Sequence, residues 1–221
     1  MKFNKDTVFC ISIAEKPGNF GAKFHNDLYA LFDMNWVYLP RKVSKDANLE
    51  DIIKSLKSLY IRGCSVSMPH KEKIINYIDK IDSFANKIGA VNTVKQEKKG
   101  CLKGYNTDYY GAYKSLENFN IKNKTIFMFG AGGVAKSIGL AIKNLGGNLV
   151  IVNRIIDKAI KLSNKLNAKY LNINDIDDIS GYLLINATSV GMKNKSEMIV
   201  NEKHIKNFEV IMDVVLDPIE T

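Results

Sequence analysis

The sequence predicts an α/β protein with two successive units, the first built on a mostly parallel sheet and the second doubly wound. Short apolar runs rich in β-branched and aromatic residues alternate with segments of helical periodicity along the chain. A second round of this alternation begins near Asn106, and one of its strands leads directly into a glycine-rich segment. We therefore expect one domain over residues 1–105 and another over residues 106–221.

The elements of the first unit follow one another in a simple order. Strands are predicted over residues 7–13, 36–39 and 65–67, because these runs are apolar and end at turn-forming residues. Helices are predicted over 20–32 and 46–60, where apolar side chains recur at helical spacing, and short helices over 71–78 and 82–88. A hairpin of strands 90–94 and 101–105 encloses the lysine-rich turn 95–100. The repeated strand–helix–strand pattern favours a mostly parallel sheet.

The second unit repeats this rhythm with longer buried strands. A helix over 106–118 precedes the continuous apolar strand 125–129, which is typical of a strand buried on both faces. A helix then extends to residue 145, followed by a strand over 148–152, a helix over 156–166, and strands over 182–185 and 210–215. This order is that of a doubly wound domain of the Rossmann type.

Composition excludes several classes of protein. Hydrophobic residues make up 46% of the chain and charged residues 25%, as in ordinary globular proteins. The three cysteines lack the spacing of a zinc or redox pair, so reduced thiols and a cytoplasmic location are expected, with no bound metal. No apolar run approaches the ~18 residues of a membrane span.

The net charge of +9 raises the question of nucleic-acid binding. Only Arg41, Arg62 and Arg154 among the 32 basic residues are arginines, and the lysines are spread along the chain. This distribution favours a solvated lysine-rich surface over a nucleic-acid site. A basic cleft that attracts anionic ligands remains an open alternative.

The glycine-rich segment after strand 125–129 predicts a dinucleotide site. Its candidate residues are Gly130, Ala131, Gly132, Gly133, Val134 and Ala135. Gly130 permits a tight turn, Gly132 lets backbone amides approach a pyrophosphate at the helix N-terminus, and Ala135 lets helix and strand pack closely. A glycine-rich turn without a ligand is the alternative.

The end of the next strand indicates which dinucleotide binds. NAD sites usually carry an acidic residue there for the ribose hydroxyls, whereas this chain has Asn153 and Arg154. A guanidinium can pair with a 2′-phosphate and stack on adenine, so NADP is predicted in preference to NAD.

Polar residues of the first unit gather where its strands end, which is where ligands of open α/β sheets bind. Lys71 follows one strand, and Asp108 opens a helix. A lysine held beside a carboxylate can exchange a proton with a carbonyl or hydroxyl oxygen. From the residues alone, a surface lysine and a helix cap are equally acceptable interpretations.

Read together, the motifs CSVSMPHK, IGAVNTV, YNTDYYGA, FGAGGVAKSI, VNR, INATSVGM and DVVLDPIET resemble those of the shikimate dehydrogenase family. They occur in the family's order over essentially the whole chain. The resemblance implies a two-domain α/β oxidoreductase that reduces 3-dehydroshikimate to shikimate with NADPH in aromatic amino-acid biosynthesis.

The resemblance also implies roles for residues of the first unit. Lys71 would be the catalytic lysine, Asp108 its partner, and Ser67 and Asn92 ligands of the substrate hydroxyls. The family usually has threonine at the position of Ser67. The substrate carboxylate is usually held by a Ser-x-Ser pair, and this chain has Asn19 and Gly21 in the corresponding stretch.

Cofactor residues are implied in the second unit. The glycine loop would take the pyrophosphate, Asn153 and Arg154 the adenosine 2′-phosphate, and Thr188 and Met192 would line the cofactor groove. No metal is implied. The expected partner is a small-molecule substrate, with neither nucleic acid nor membrane, and the chain is expected to be a monomer or homodimer.

Three departures from the family leave alternatives open. Gly21 lacks a hydroxyl, which favours a quinate/shikimate-like enzyme acting on a related hydroxy acid. Leu216 replaces a tyrosine that is common near the substrate. Family members also continue beyond the position of Thr221, so C-terminal helices are expected to be missing, and a catalytically inactive NADP-binding remnant is a further alternative. His70 and His204 are expected at the surface.

Overall fold

The computed structural model describes residues 3–192 and 197–215 and divides into two compact units, residues 1–107 and 108–221. The first unit holds a six-stranded sheet and the second a five-stranded sheet. The α/β fold class predicted from the sequence is confirmed.

The first unit alternates strands and helices. Its strands are β1 (Val8–Ala14), β2 (Trp36–Lys42), β3 (Gly63–Val66), β4 (Lys80–Ile81), β5 (Thr93–Gln96) and β6 (Leu102–Tyr105). Its helices are α1 (Phe20–Leu31), α2 (Leu49–Ser58) and α3 (Ser83–Ile88), with short 3-10 turns at Ile74–Tyr77 and Lys98–Gly100. The strand order is β2-β1-β3-β5-β6-β4, and β5 runs antiparallel to both of its neighbours. The other pairs are parallel, as a mostly parallel sheet requires.

The core of this unit lies between α2 and one face of the sheet. Ile53 and Leu56 of α2 pack with Ile13 of β1 and Val66 of β3, all of them at most 4% exposed. Burial of such side chains is worth about 1.5–3 kcal/mol each, which makes this the main source of stability in the unit. The packing fixes the carboxyl end of β3, from which Ser67 and Lys71 follow.

Helix α1 is tied to the edge strand β2 by one side chain. Asn26 donates from Nδ2 to the Tyr38 carbonyl oxygen at 2.9 Å and accepts from the Tyr38 amide at 2.8 Å. One amide thus satisfies both backbone groups of Tyr38 on the unpaired side of β2. His25 stacks on the Tyr38 ring at 4.5 Å, and burial lowers the pKa of His25.

The second unit is doubly wound. Its strands are β7 (Thr125–Phe129), β8 (Asn148–Asn153), β9 (Lys169–Asn172), β10 (Gly181–Asn186) and β11 (Phe208–Asp213). Its helices are α4 (Thr107–Leu116), α5 (Gly133–Asn144), α6 (Ile156–Leu166) and α7 (Glu202–Ile205), with a 3-10 turn at Ile173–Asp175. All strand pairs in the order β11-β10-β7-β8-β9 are parallel. Chain order therefore reverses at β7, and β7 is the strand that leads into the glycine segment.

Several details differ from the sequence-based expectation. Strands β4 and β9 and helix α7 were not predicted, and the helix expected over 71–78 is only a 3-10 turn. His70 and His204 are 1% and 5% exposed, so the expectation of surface positions is wrong. Their ring nitrogens Nε2 lie 3.1 Å and 3.2 Å from the backbone carbonyl oxygens of Val43 and Asp177, which compensates part of the cost of burying each ring. Leu216 lies outside the described residues.

Within the described ranges, no helix combines the length and apolar character needed to cross a membrane.

Candidate active site

The turn after β3 carries Ser67 and Lys71 and is fixed by backbone hydrogen bonds. The Ser67 amide donates to the Ile13 carbonyl at 2.9 Å, and the His70 amide donates to the Ser67 carbonyl at 3.0 Å. The Lys71 carbonyl in turn accepts from the Val91 amide at 2.8 Å. Ser67 is exposed and Lys71 is half-buried. The buried His70 ring acts as the internal anchor of this turn.

Asn92 lies beside this turn and is itself tightly held. Its carbonyl accepts from the Val66 amide at 2.7 Å, and its own amide donates to the Tyr105 carbonyl at 3.0 Å. The side-chain Oδ1 accepts from the Thr107 amide at 2.9 Å, and Nδ2 donates to the Thr107 hydroxyl at 2.9 Å. Asn92 is 8% exposed. The structure therefore brings Lys71, Ser67 and Asn92 to one end of the sheet, because Ser67 and Lys71 follow β3 and Asn92 directly precedes the antiparallel strand β5.

Asp108 occupies the first turn of α4, directly after Thr107. An acidic residue at this position is favoured by the helix dipole, so its place is stable whether or not it also has a chemical role.

Asn19 and Gly21 lie at the start of α1. Asn19 is exposed and precedes the helix, and its carbonyl accepts the first helical bond from Lys23 at 3.0 Å. A Cβ placed on Gly21 would lie 3.6 Å from the Tyr38 hydroxyl oxygen. Gly21 thus leaves space above the tip of the buried Tyr38 ring, which a serine side chain would enter.

The glycine segment between β7 and α5 contains glycines with two different constraints. Gly130 has φ +116°, and a Cβ there would come within 2.7 Å of the Ala187 carbonyl oxygen, so only glycine fits without a shift. A Cβ on Gly132 or Gly133 would meet nothing within 4 Å. Space therefore lies open above the N-terminus of α5, where backbone amides attract anions. Ala135 is fully buried, Ala131 is half-buried and Val134 is exposed.

A cleft of about 560 Å³ adjoins the glycine segment. Gly130, Asn153, Arg154, Thr188 and Met192 all contribute to its lining. The side-chain Nδ2 of Asn153 donates a hydrogen bond to the Ile155 carbonyl oxygen at 2.8 Å. This bond restrains the loop that carries Arg154. The exposed guanidinium of Arg154 therefore has room for an anionic group.

Asn186 organises the loop that bears Thr188, a feature that the sequence reasoning missed. Its Oδ1 accepts from the Thr188 amide at 3.0 Å and from the Thr188 hydroxyl at 2.7 Å. Its Nδ2 donates to the Val190 carbonyl and to the Asp213 carboxylate, each at 3.1 Å. The buried amide thereby joins the ends of β10 and β11. Its place at the end of an apolar run was the available signal.

Ser189 and Glu197 also line this cleft and had not been singled out. Their sequence neighbourhoods have no periodic apolar pattern, so only the structure reveals that they line the cleft.

Comparison with known proteins covers both units. Residues 20–94 match the family model described as the shikimate dehydrogenase substrate binding domain, and residues 112–216 match the one described as shikimate / quinate 5-dehydrogenase. The resemblance stated from the motifs is thereby confirmed.

Individual relatives agree with these matches. A shikimate dehydrogenase-like protein of Haemophilus influenzae is 37% identical, over 99% of this chain and 80% of that protein. A shikimate dehydrogenase (NADP+) of Methanosphaera stadtmanae is 39% identical, over 92% of this chain and 76% of that protein. A crystal structure of a shikimate dehydrogenase in complex with NADP+ has a TM-score of 0.87 and 33% identity, covering 100% of this chain and 80% of that one. On these grounds the chain belongs to the shikimate dehydrogenase family of oxidoreductases.

Proposed function

We propose that this chain catalyses the reversible, NADP-dependent reduction of 3-dehydroshikimate to shikimate. The observation that carries the proposal is the backbone bonding that fixes Lys71 and Asn92 beside one another at the end of the sheet. A proton donor next to a hydrogen-bonding amide is the arrangement that reduction of a ketone in a hydroxylated ring requires. Family membership supplies the substrate class.

The second unit fits NADP in two respects. The space above Gly132 and Gly133 would receive the pyrophosphate at the N-terminus of α5. Asn153 and Arg154 would hold the 2′-phosphate, because a guanidinium forms strong paired hydrogen bonds with phosphate oxygens. Thr188 and Met192 would line the remainder of the groove. When bound, NADPH supplies the hydride.

The residues of the first unit would handle the proton and the orientation of the substrate. The ammonium group of Lys71 delivers a proton to the ketone oxygen during reduction, and its neutral amine takes the proton back from the hydroxyl during oxidation. Asp108 orients Lys71. Ser67 and Asn92 bind ring hydroxyls, and Asn19 donates its amide toward the carboxylate end of the substrate.

Replacement of Lys71 tests this assignment. Lys71→Ala is expected to lower kcat for shikimate oxidation by at least about 100-fold, the size of a general acid–base contribution, while the affinity for NADPH stays within about threefold. Steady-state kinetics and fluorescence titration measure the two quantities. Lys73→Ala, an exposed lysine two residues further on, is the matched control. Equal loss of cofactor binding and turnover in Lys71→Ala would contradict a role in proton transfer.

A second candidate function rests on Gly21. Gly21 has no hydroxyl, so the substrate carboxylate would be held differently from the way a Ser-x-Ser pair holds it. This favours a quinate-type hydroxy acid as an alternative substrate for the same proton-transfer residues. Parallel assays with shikimate and quinate separate the two, since the preferred acid is the one with the higher kcat/KM.

A further inference from the structure

A second cleft in the first unit lies far from Lys71 and has no part in the proposed reaction. It has a volume of about 540 Å³ and is lined by residues of three segments, among them Lys57, Arg62 and Lys99. Arg62 directly precedes β3, whereas Ser67 directly follows it. The four residues of β3 separate the two ends by about 13 Å at ~3.3 Å per residue. The cleft is therefore at the amino end of the strand whose carboxyl end leads to the candidate active site.

The lining of this cleft carries more basic than acidic side chains. Lys57 is paired with Asp79 at 2.7 Å, and hydrogen bonds from the Leu102 amide and Lys57 hold the pKa of Asp79 below its usual range. Among the described residues, neither Arg62 nor Lys99 forms a salt bridge. Glu97 is the acidic residue of the lining.

The guanidinium of Arg62 is held in place by the backbone. Its Nη1 donates to the Gln96 carbonyl oxygen, and the Gln96 amide donates to the Arg62 carbonyl at 3.0 Å. The Arg62 side chain is exposed and lines the cleft, so its other N–H groups are accessible there. An arginine oriented in this way loses less conformational freedom when it binds an oxyanion than a mobile lysine does.

The neighbouring hairpin adds to the positive field. Lys95 and Lys103 are paired across β5 and β6, and Lys98 and Lys99 form the connecting turn. In the sequence, residues 1–107 carry 18 Lys and Arg against 11 Asp and Glu, whereas residues 108–221 carry 14 against 12. The excess charge of the chain thus belongs mostly to this unit, and a net positive charge raises the local concentration of anions.

Tyr60 presents an aromatic ring at the same cleft. It follows the end of α2 with φ +51°, a conformation that costs a non-glycine residue roughly 1–2 kcal/mol, and its side chain is 81% exposed. This backbone conformation ends α2, with the Tyr60 amide donating to the Lys57 carbonyl at 3.2 Å and the Ile61 amide donating to the Leu56 carbonyl at 3.0 Å. The ring itself is exposed at the cleft. A ring beside an arginine is suited to contact with the organic part of an anionic ligand.

We propose that this cleft binds the phosphate group of a small phosphorylated molecule, at a site separate from those for substrate and cofactor. Arg62 and Lys99 hold the phosphate oxygens, and Tyr60 contacts the remainder of the ligand. The limited volume and the small number of free cations favour a small molecule over a long polyanion, which would need an extended basic surface.

Inorganic pyrophosphate is a suitable probe. We would titrate it into the ¹⁵N-labelled full chain at constant ionic strength and follow the backbone amides by NMR. Shifts are expected at residues 57–62 and 96–100. Binding measured at these amides should weaken by at least about tenfold in Arg62→Ala/Lys99→Ala, which corresponds to about 1.4 kcal/mol.

A matched control is available in the same unit. Lys45 and Lys73 line another cleft, of about 440 Å³, and their double alanine variant should leave the affinity within about twofold. The single variant Lys99→Glu, at an exposed turn position, should also weaken pyrophosphate binding. It keeps the test valid if the double variant fails to fold.

The outcomes separate this site from the cofactor site. Shifts confined to residues 130–134 and 153–154 would assign pyrophosphate binding to the cofactor cleft, overturning the present proposal and leaving the proposed function intact. Shifts at 57–62 that persist in both Arg62→Ala/Lys99→Ala and Lys99→Glu would overturn it, as would an absence of shifts there.

Discussion

At the scale of single residues, Gly130 and Gly132 show how one short loop combines a structural and a functional requirement. Gly130 has a positive φ and no space for a Cβ against the Ala187 carbonyl. Gly132 has an extended backbone, φ −85° and ψ −167°, which any residue can adopt, and its surroundings are open. The first glycine is needed by the fold, whereas the second leaves space for a ligand.

This distinction leads to a paired prediction. Gly130→Ala should lower the free energy of unfolding by at least about 2 kcal/mol, from backbone strain and the close carbonyl contact. Gly132→Ala should leave stability within about 0.5 kcal/mol but weaken NADPH binding by at least about tenfold, because its methyl group occupies the pyrophosphate position. Denaturant unfolding and cofactor titration measure both variants. Equal loss of stability in the two would contradict the separation of roles.

Arg154 carries the prediction of cofactor preference. Arg154→Ala should weaken NADPH binding by about 10- to 150-fold, since a lost charged hydrogen bond costs roughly 1.5–3 kcal/mol. NADH affinity should change by less than about threefold, because NADH lacks the 2′-phosphate. Lys158→Ala removes an equal charge from the neighbouring exposed face of α6 and serves as the control. Parallel losses for both nucleotides would contradict the assignment.

The sequence indicates some of these residues and hides others, for a physical reason. Gly130 stands directly after β7 and Lys71 lies in the turn that follows β3, so local pattern suffices to place them at the end of a sheet where ligands bind. Asn92 directly precedes β5, and its place beside Lys71 depends on the antiparallel pairing of β5 with β3. Asn186 acts through Asp213, 27 residues away, and the proximity of Gly21 to the Tyr38 hydroxyl joins positions 17 residues apart. Such pairings arise from tertiary structure and leave no periodic signal.

At the scale of secondary-structure elements, the attachment of α1 to β2 through Asn26 is the feature that a single substitution tests most directly. None of the 12 residues of α1, all of them described, is buried, so hydrophobic packing alone holds this helix weakly. The two bonds from Asn26 to the Tyr38 backbone supply a specific link. The helix in turn carries Gly21 above the tip of Tyr38.

Asn26→Ala should therefore destabilise the protein by about 2–3 kcal/mol, because it leaves the amide and carbonyl of the buried Tyr38 without partners. Asp27→Ala is the control, since Asp27 is exposed and its 3.9 Å contact with Lys23 is worth little. Urea unfolding compares the two. A change of less than about 0.5 kcal/mol for Asn26→Ala would show that the link to β2 is dispensable.

Prediction of elements succeeded where the pattern was long and failed where it was short. The strand over 125–129 and the helix over 156–166 have the predicted bounds, because each has a continuous or strongly periodic apolar pattern. Strand β4 has two residues and β9 has four, too few for alternation to stand out. The strand expected over 90–94 is shifted to Thr93–Gln96, since Asn92 and its neighbours serve the turn that holds Thr107.

At the scale of the whole molecule, family membership, the residues at the strand ends of the first unit, and the cofactor cleft of the second unit support the same proposed reaction. Most of the excess positive charge of the sequence lies in the first unit, and Arg62 and Lys99 of the proposed phosphate cleft contribute to it. The proposed choice between shikimate and a quinate-type acid depends on a narrower feature, the absence of a side chain at Gly21 beside the Tyr38 hydroxyl.

The most direct test of the central claim is steady-state oxidation of shikimate by the 221-residue chain with NADP+, followed at the nicotinamide absorbance. Quinate and NAD+ form parallel arms, and Lys71→Ala is the inactive control. We predict turnover with a higher kcat/KM for shikimate than for quinate and for NADP+ than for NAD+. NADPH binding without turnover of either acid would contradict the proposed reaction and indicate an inactive cofactor-binding protein.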